Sequence, residues 1–188
     1  MNILVDDIEQ VVQDKIGIEF NTDFRIVILF ELLMQDNEIN QEAKIMQAIN
    51  LFYPKAEQIK DIKKAVEDIM WFYCCGKETK SSNGKEESNK QIYSYEFDDE
   101  YIYSAFRDQY NINLQSIEYL HWWEFKAMFQ SLKEDNLIVK IMGYRSVNLA
   151  AIKDKEEKKF YKKMKKLYAL PDMRTEEQKE ADFGAAFW

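Results

Sequence analysis

The segment Leu120–Pro171 constrains the fold most strongly, because it connects an aromatic stretch with helical spacing of apolar residues, which begins just before the segment, to a lysine-rich helical stretch. The first stretch, at about 117–132, carries two apolar rows on neighbouring faces of a helix. One row comprises Trp122, Phe125, Phe129 and Leu132, and the other comprises Ile117, Leu120 and Met128. A helix with so much apolar surface must be enclosed by neighbouring elements or by a partner. The second stretch begins near Lys153 and is rich in lysine.

The remainder of the chain also favours helices. Only five glycines and two prolines are available for tight turns, and the runs rich in Lys, Glu, Gln, Leu, Met and Ala favour helix over sheet. Apolar spacing predicts helices at about 24–34, 41–52 and 57–73 in the first part of the chain. We therefore predict a mainly α fold, a compact multi-helix domain.

Two local patterns predict exceptions to regular helix. The alternation in 16–20, together with Val11 and Val12, predicts a short N-terminal β-hairpin that turns at Asp14 and Lys15. Gly143 predicts a helix C-terminus, which would leave Tyr144 and Arg145 in the following loop.

A polar stretch divides the sequence. Residues 76–90, GKETKSSNGKEESNK, contain no large apolar side chain, so they cannot offset the entropy lost on ordering. We predict a polar loop or linker at 76–91 between an N-terminal helical half, 1–75, and a C-terminal helical half, 92–170, which contains the basic helix. This length fits a loop inside one domain as well as a hinge between two. A C-terminal tail follows at 171–188, and its apolar end, DFGAAFW, either docks on its own domain or anchors another protein.

The sequence gives little support for catalysis. His121 is the only histidine, Cys74 and Cys75 are the only cysteines, and no phosphate-binding glycine motif or nucleophile elbow is present. The acidic pair Asp98 and Asp99 is explained by helix capping. We expect a protein that is not an enzyme and uses no cofactor or metal.

Charge and hydropathy bound the partners and the compartment. The net charge of −8 argues against general binding to nucleic acid, because phosphate contacts require a basic face. The longest apolar run, Ile26–Met34, is interrupted by Glu31 and is too short to span a bilayer. Adjacent cysteines without a disulfide pattern indicate a reducing cytoplasm.

The lysine-rich stretch departs from this acidic balance. Residues 153–166 contain eight lysines and three acidic residues, so they carry +5 while the rest of the chain carries −13. A helix here could meet an acidic or amphipathic protein, an anionic membrane surface or nucleic acid. It could also be a solvated face attracted to the acidic part of the same chain, although exposed ion pairs stabilise by only about 0 to 1 kcal/mol each.

Candidate partner-binding residues follow from these two helices. The aromatic helix forms either the core or a groove for a partner, and the basic helix is the better candidate for meeting one. The candidates are Trp122, Trp123, Phe125, Phe129, Tyr144, Arg145, Lys158, Lys159, Lys162, Lys163 and Lys166.

The stretches HWWEFKAMFQSL and IMGYRSVNLAAIKDKEEKKFYKKMKKLYALP resemble the bacteriophage gene-product-fifteen proteins. This family is encoded in the tail-morphogenesis region of long-tailed phages and of prophages in Gram-positive bacteria. FNTDFRIVILFELL is similar to the opening helix of the same family. The gene position implied by the resemblance is the one usually occupied by tail assembly chaperones, which coat the tape-measure protein until tube subunits polymerise around it.

The resemblance implies a tail assembly chaperone that binds the tape-measure protein, with the tail tube protein as a second candidate partner. Self-association of the chain stays an open alternative. The implied location is the host cytoplasm during assembly. One alternative is a structural component that stays in the virion tail. Another is a nucleic-acid-binding regulator that uses the lysine-rich helix.

Overall fold

A computed structural model describes residues 2–77 and 91–172 of the chain. These residues form eight α-helices and no strand, which confirms the mainly α fold. The helices are α1 Ile8–Ile16, α2 Phe24–Gln35, α3 Gln41–Phe52, α4 Ile62–Tyr73, α5 Asp99–Tyr110, α6 Trp122–Gln130, α7 Leu137–Ser146 and α8 Lys155–Leu167, with a short 3-10 turn at Ala56–Gln58. None of these eight helices is long and apolar enough to cross a membrane. Most of the predicted polar loop and of the predicted tail lies outside the described residues.

The chain forms two compact units. The first unit combines Met1–Lys85 with Ser116–Ser131, and the second combines Glu86–Gln115 with Leu132–Trp188. Helix α6 therefore belongs to the first unit, together with α1 to α4.

The core of the first unit is aromatic. Phe72 of α4 packs edge-on against Phe20 and Phe52, with ring centroids 5.1 and 6.1 Å away. Phe24 at the start of α2 stacks on Phe125 of α6 at 4.7 Å. A single antiparallel bridge also joins the entries of α2 and α6, because Phe24 N donates to Leu120 O at 3.0 Å and the Trp122 amide donates to Thr22 O at 2.8 Å.

The predicted N-terminal hairpin is wrong, because the segment forms α1. Asp7 caps this helix by accepting a hydrogen bond from the Gln10 amide, and Val12 and Ile16 are buried one turn apart. Gly17, at φ +78°, ends the helix in the left-handed conformation that glycine favours. The alternating residues 16–20 are therefore not a strand: Ile16 is the last residue of α1, and the other four follow the end of the helix.

The second unit contains α5, α7 and α8. Asp98 is buried immediately before α5 and forms an ion pair with Arg145 of α7, with Asp98 Oδ1 2.9 Å from Arg145 Nη2. Helix α7 runs through Gly143 to Ser146, so the predicted helix end at Gly143 is wrong. Tyr144 and Arg145 lie in the last turn of this helix, where their contacts to α8 and to Asp98 hold the backbone helical.

Candidate partner-binding surface

Helix α8 begins and ends at residues suited to those positions. The Asp154 carboxylate caps it by accepting a hydrogen bond from the Glu157 amide at 2.7 Å. Glu156 and Glu157 occupy the first turn, whereas Lys165 and Lys166 occupy the last. This arrangement stabilises the helix because acids offset the positive N-terminal end of the helix dipole and cations offset the negative C-terminal end.

Aromatic contacts hold α8 on α7. Tyr144 of α7 stacks on Tyr168 at a centroid distance of 5.9 Å and meets Phe160 and Tyr161 edge-on at 6.1 and 6.2 Å. The Lys165 ammonium donates to Val147 O at 2.7 Å. No residue of α8 is fully buried, so the helix lies on the surface of its unit and is attached along one side.

The outward side of α8 is a continuous cationic face. At 100° per residue, all the lysines of the helix fall on one side, and both acidic residues fall outside it. Six of these lysines are exposed: Lys155, Lys158, Lys159, Lys162, Lys163 and Lys166. Among residues 2–77 and 91–172, no lysine of α8 lies within 4.0 Å of a carboxylate oxygen. Direct ion pairing within the described part of the chain therefore does not account for this charge block.

An exposed apolar edge borders the cationic face. Phe160 is 49% exposed and Leu167 is 64% exposed. Lys163 lies between them, three residues after one and four residues before the other, so the three side chains share one edge of the helix. We name the six exposed lysines together with Phe160 and Leu167 the α8 surface.

The predicted aromatic candidates form the core. Trp122, Trp123, Phe125 and Phe129 are each at most 8% exposed. The indole N–H groups of Trp122 and Trp123 donate to Tyr73 O at 3.1 Å and to Phe72 O at 2.8 Å, carbonyls at the end of α4. Of the two alternatives that the sequence leaves open, core and groove, the structure assigns these side chains to the core of the first unit.

Tyr144 and Arg145 support α8 from beneath. Arg145 is 8% exposed, pairs with Asp98, and donates from Nε to Tyr168 O at 2.6 Å and from Nη1 to Ile92 O at 3.0 Å. Because its donors are already used inside the unit, Arg145 positions the end of α8. Tyr144 has the same supporting position through its ring contacts.

The lone histidine and the cysteines occupy structural positions. His121 is 1% exposed and caps α6, because its Nδ1 accepts a hydrogen bond from the Trp123 amide at 3.0 Å. Burial lowers the pKa of His121 to about 4, although the charge of Glu9 partly opposes this shift. Burial also raises the pKa of the Cys75 thiol, which disfavours the nucleophilic thiolate.

The sequence indicates the lysines of α8 but not the whole surface. Lys155 is absent from the predicted candidates, and so are Phe160 and Leu167. The separation of Phe160 and Leu167 by seven residues is visible in the sequence. Their exposure is not, because it depends on how much of this side of α8 is covered by α7.

The fold and the α8 surface define the class of protein: it is acidic, helical in its described residues, and carries a basic amphipathic helix on its surface. The comparison with known families is more specific. The chain belongs to the family described as Bacteriophage Gp15 protein, which matches residues 5–170 of the 188. The protein is therefore a bacteriophage protein, and its family suggests a role in phage morphogenesis or structure. No curated protein and no solved structure matches the chain.

Proposed function

We propose that this chain is a non-enzymatic tail assembly chaperone that binds the phage tape-measure protein through the α8 surface. The observation that carries the proposal is the row of exposed lysines on α8 without carboxylate partners among the described residues, beside exposed Phe160 and Leu167. Such a surface is suited to reversible contact with an amphipathic segment of another protein. The family membership supports the choice of a phage partner.

The placement of the reactive groups supports a non-enzymatic role. The Nδ1 of His121 is used in a helix cap, and the depressed pKa of this histidine keeps it neutral at physiological pH. The raised pKa of Cys75 keeps its thiol protonated. Both properties are those of structural side chains.

Co-expression tests the proposal. The tape-measure protein of the same phage is expressed alone, with this chain, and with an unrelated helical protein, and its soluble fraction is measured after centrifugation. We expect solubility only in the presence of this chain, with both proteins eluting together on size exclusion. An equally insoluble tape-measure protein in all three cases would contradict the proposal.

Charge-reversal variants test the assignment to α8. Lys155→Glu, Lys159→Glu and Lys162→Glu together reverse three exposed charges. Helix α8 should persist because glutamate and lysine have similar helix propensity, position 155 lies in the first turn where an acid is favoured, and each new glutamate has a remaining lysine three or four residues away. Lys15→Glu, Lys60→Glu and Lys63→Glu form the matched control, with the same change of net charge at exposed lysines of the first unit. The α8 triple variant should lose co-elution and the control should retain it.

Mass spectrometry of purified virions separates an assembly factor from a structural tail component. The proposal predicts that this chain is missing from mature particles or far below the copy number of tube subunits. Stoichiometric presence would instead favour a component retained in the tail.

A further inference from the structure

The exposed lysines of α8 form a regular seam. Lys155, Lys159, Lys162 and Lys166 are separated by four, three and four residues, the spacing that keeps side chains in line along a helix. At 1.5 Å per residue the seam is about 16 Å long. A surface of this shape matches the side of another α-helix packed along it.

The apolar edge has the same repeat. Phe160 and Leu167 lie one heptad apart, beside the lysine seam, and are 49% and 64% exposed. Two helices that pack side by side meet at this interval, because a seven-residue step returns a side chain to nearly the same face. An opposing helix could therefore place one apolar row against this edge and a charged row against the lysines.

Membrane binding fits this geometry less well. An interfacial helix inserts its apolar face into the headgroup region. In α8 the side that carries Tyr161, Met164 and Tyr168 is half-buried, and Tyr144 of α7 covers two of those residues. Only the edge formed by Phe160 and Leu167 would be left to insert.

Nucleic acid also fits less well. Phosphate contacts would use the lysines but would leave the apolar edge without a role, and the −13 carried by the rest of the chain would repel the polymer. The combination of a lysine seam with an apolar edge of the same repeat favours a protein helix.

We infer that the α8 surface binds an acidic α-helix whose carboxylates recur at three- and four-residue intervals and whose adjacent apolar side chains recur every seven residues. The carboxylates face the lysine seam, and the apolar row packs on Phe160 and Leu167. The inference rests on the proposed function for the identity of the protein that supplies this helix. The recognition chemistry itself depends only on α8.

Synthetic helices provide the test. The probe is a fluorescently labelled peptide of about 21 residues with glutamates at three- and four-residue spacing and leucine every seventh position. The control peptide has the same composition in scrambled order. Binding to the full chain is measured by fluorescence anisotropy at low and at physiological salt, with a 20-base-pair DNA duplex as a competitor.

The designed peptide should bind more tightly than the scrambled one, and its affinity should fall as salt rises. The triple variant Lys155→Glu, Lys159→Glu and Lys162→Glu should weaken binding about tenfold, since it removes three attractive charge pairs and places three like charges opposite the carboxylates of the peptide. Leu167→Ser should weaken binding several-fold, and the triple control at Lys15, Lys60 and Lys63 should have no effect.

Two results would overturn the inference. Equal affinity for designed and scrambled peptides would show that the site responds only to net charge. Tighter binding of the duplex than of the peptide, with no effect of Leu167→Ser on either ligand, would indicate a polyanion site. If the designed peptide bound as predicted but the α8 triple variant still solubilised the tape-measure protein, the inference would stand while the proposed contact of the tape-measure protein with α8 would fail.

Discussion

Acidification should destabilise the first unit through His121. This side chain is 1% exposed, and its Nδ1 accepts a hydrogen bond from the Trp123 amide, so Nε2 carries the proton of the neutral ring. Nε2 is buried and has no hydrogen-bond acceptor within the described ranges. A second proton would have to be placed on Nδ1, where it would break the cap of α6 and leave a buried charge.

The sign and size of the effect follow from the two pKa values. The pKa of His121 is about 4 in the folded chain, against 6.5 for an ordinary histidine. Stability from the neutral ring is therefore fully present above pH 6.5 and is lost as the pH falls toward 4, because the unfolded chain takes up the proton first. Between pH 7 and pH 5 the loss attributable to this residue is about 2 kcal/mol.

The substitution His121→Asn isolates this contribution. The Asn side-chain oxygen can accept the hydrogen bond at the helix cap, and the amide does not titrate. Any loss of ring packing against Phe72 and Trp123 is independent of pH and cancels when one variant is compared with itself at two pH values. Carboxylates elsewhere titrate in both proteins and cancel in the comparison between them.

Urea denaturation at pH 7 and pH 5 measures the difference. Tryptophan fluorescence reports mainly on the first unit, which contains Trp71, Trp122 and Trp123, three of the four tryptophans of the chain. The free energy of unfolding of the natural chain should fall by about 2 kcal/mol more than that of His121→Asn over this interval. Equal losses in the two proteins would refute the assignment of a buried neutral histidine.

Three further predictions concern the framework. Gly17→Ala should lower the free energy of unfolding by about 1 to 2 kcal/mol because φ is +78° at this residue, whereas Gly143→Ala inside α7 should raise it by about 0.5 to 1 kcal/mol. Both sites have open space around the added methyl group, so the difference isolates the backbone conformation. If urea denaturation gave a change of the same sign for both variants, the backbone argument would be contradicted. Arg145→Met should lower the free energy of unfolding, measured by chemical denaturation, by about 3 to 5 kcal/mol, because it leaves the Asp98 carboxylate buried without its cation. A decrease below about 1 kcal/mol would show that the ion pair is dispensable. Tyr144→Ala removes the contacts of this ring with Phe160, Tyr161 and Tyr168, so hydrogen exchange of the α8 amides should become about tenfold faster. Exchange in α2 to α4 should stay unchanged. If exchange in α8 were also unchanged, these ring contacts would not be what holds the helix.

The helical fold is predictable from the sequence because apolar spacing and capping residues agree along much of the chain. Helix α3 occupies Gln41–Phe52, which matches the predicted range, and α2 extends one residue beyond its prediction to Gln35. Local rules fail where tertiary contacts decide the backbone. Gly143 remains within α7 because the next turn packs on α8 and Asp98.

The candidate surface is only partly predictable. The lysines of α8 are evident from charge alone, because exposed ion pairs within the chain would stabilise it too little to account for such a block. The aromatic residues of α6 have the spacing of both a core and a groove, and only the packing of α2 and α4 against them distinguishes the two. The burial of Arg145 depends on a carboxylate 47 residues away, which no local pattern indicates.

Hydrogen exchange of the complex with the tape-measure protein determines whether α8 is the surface that contacts the partner. In the free chain α8 contains no buried residue and should exchange among the fastest of the eight helices. We expect binding to slow exchange in α8 more than in any other of the eight described helices. Protection confined to helices of the first unit, with α8 unchanged, would contradict the assignment of α8 as the partner-binding surface.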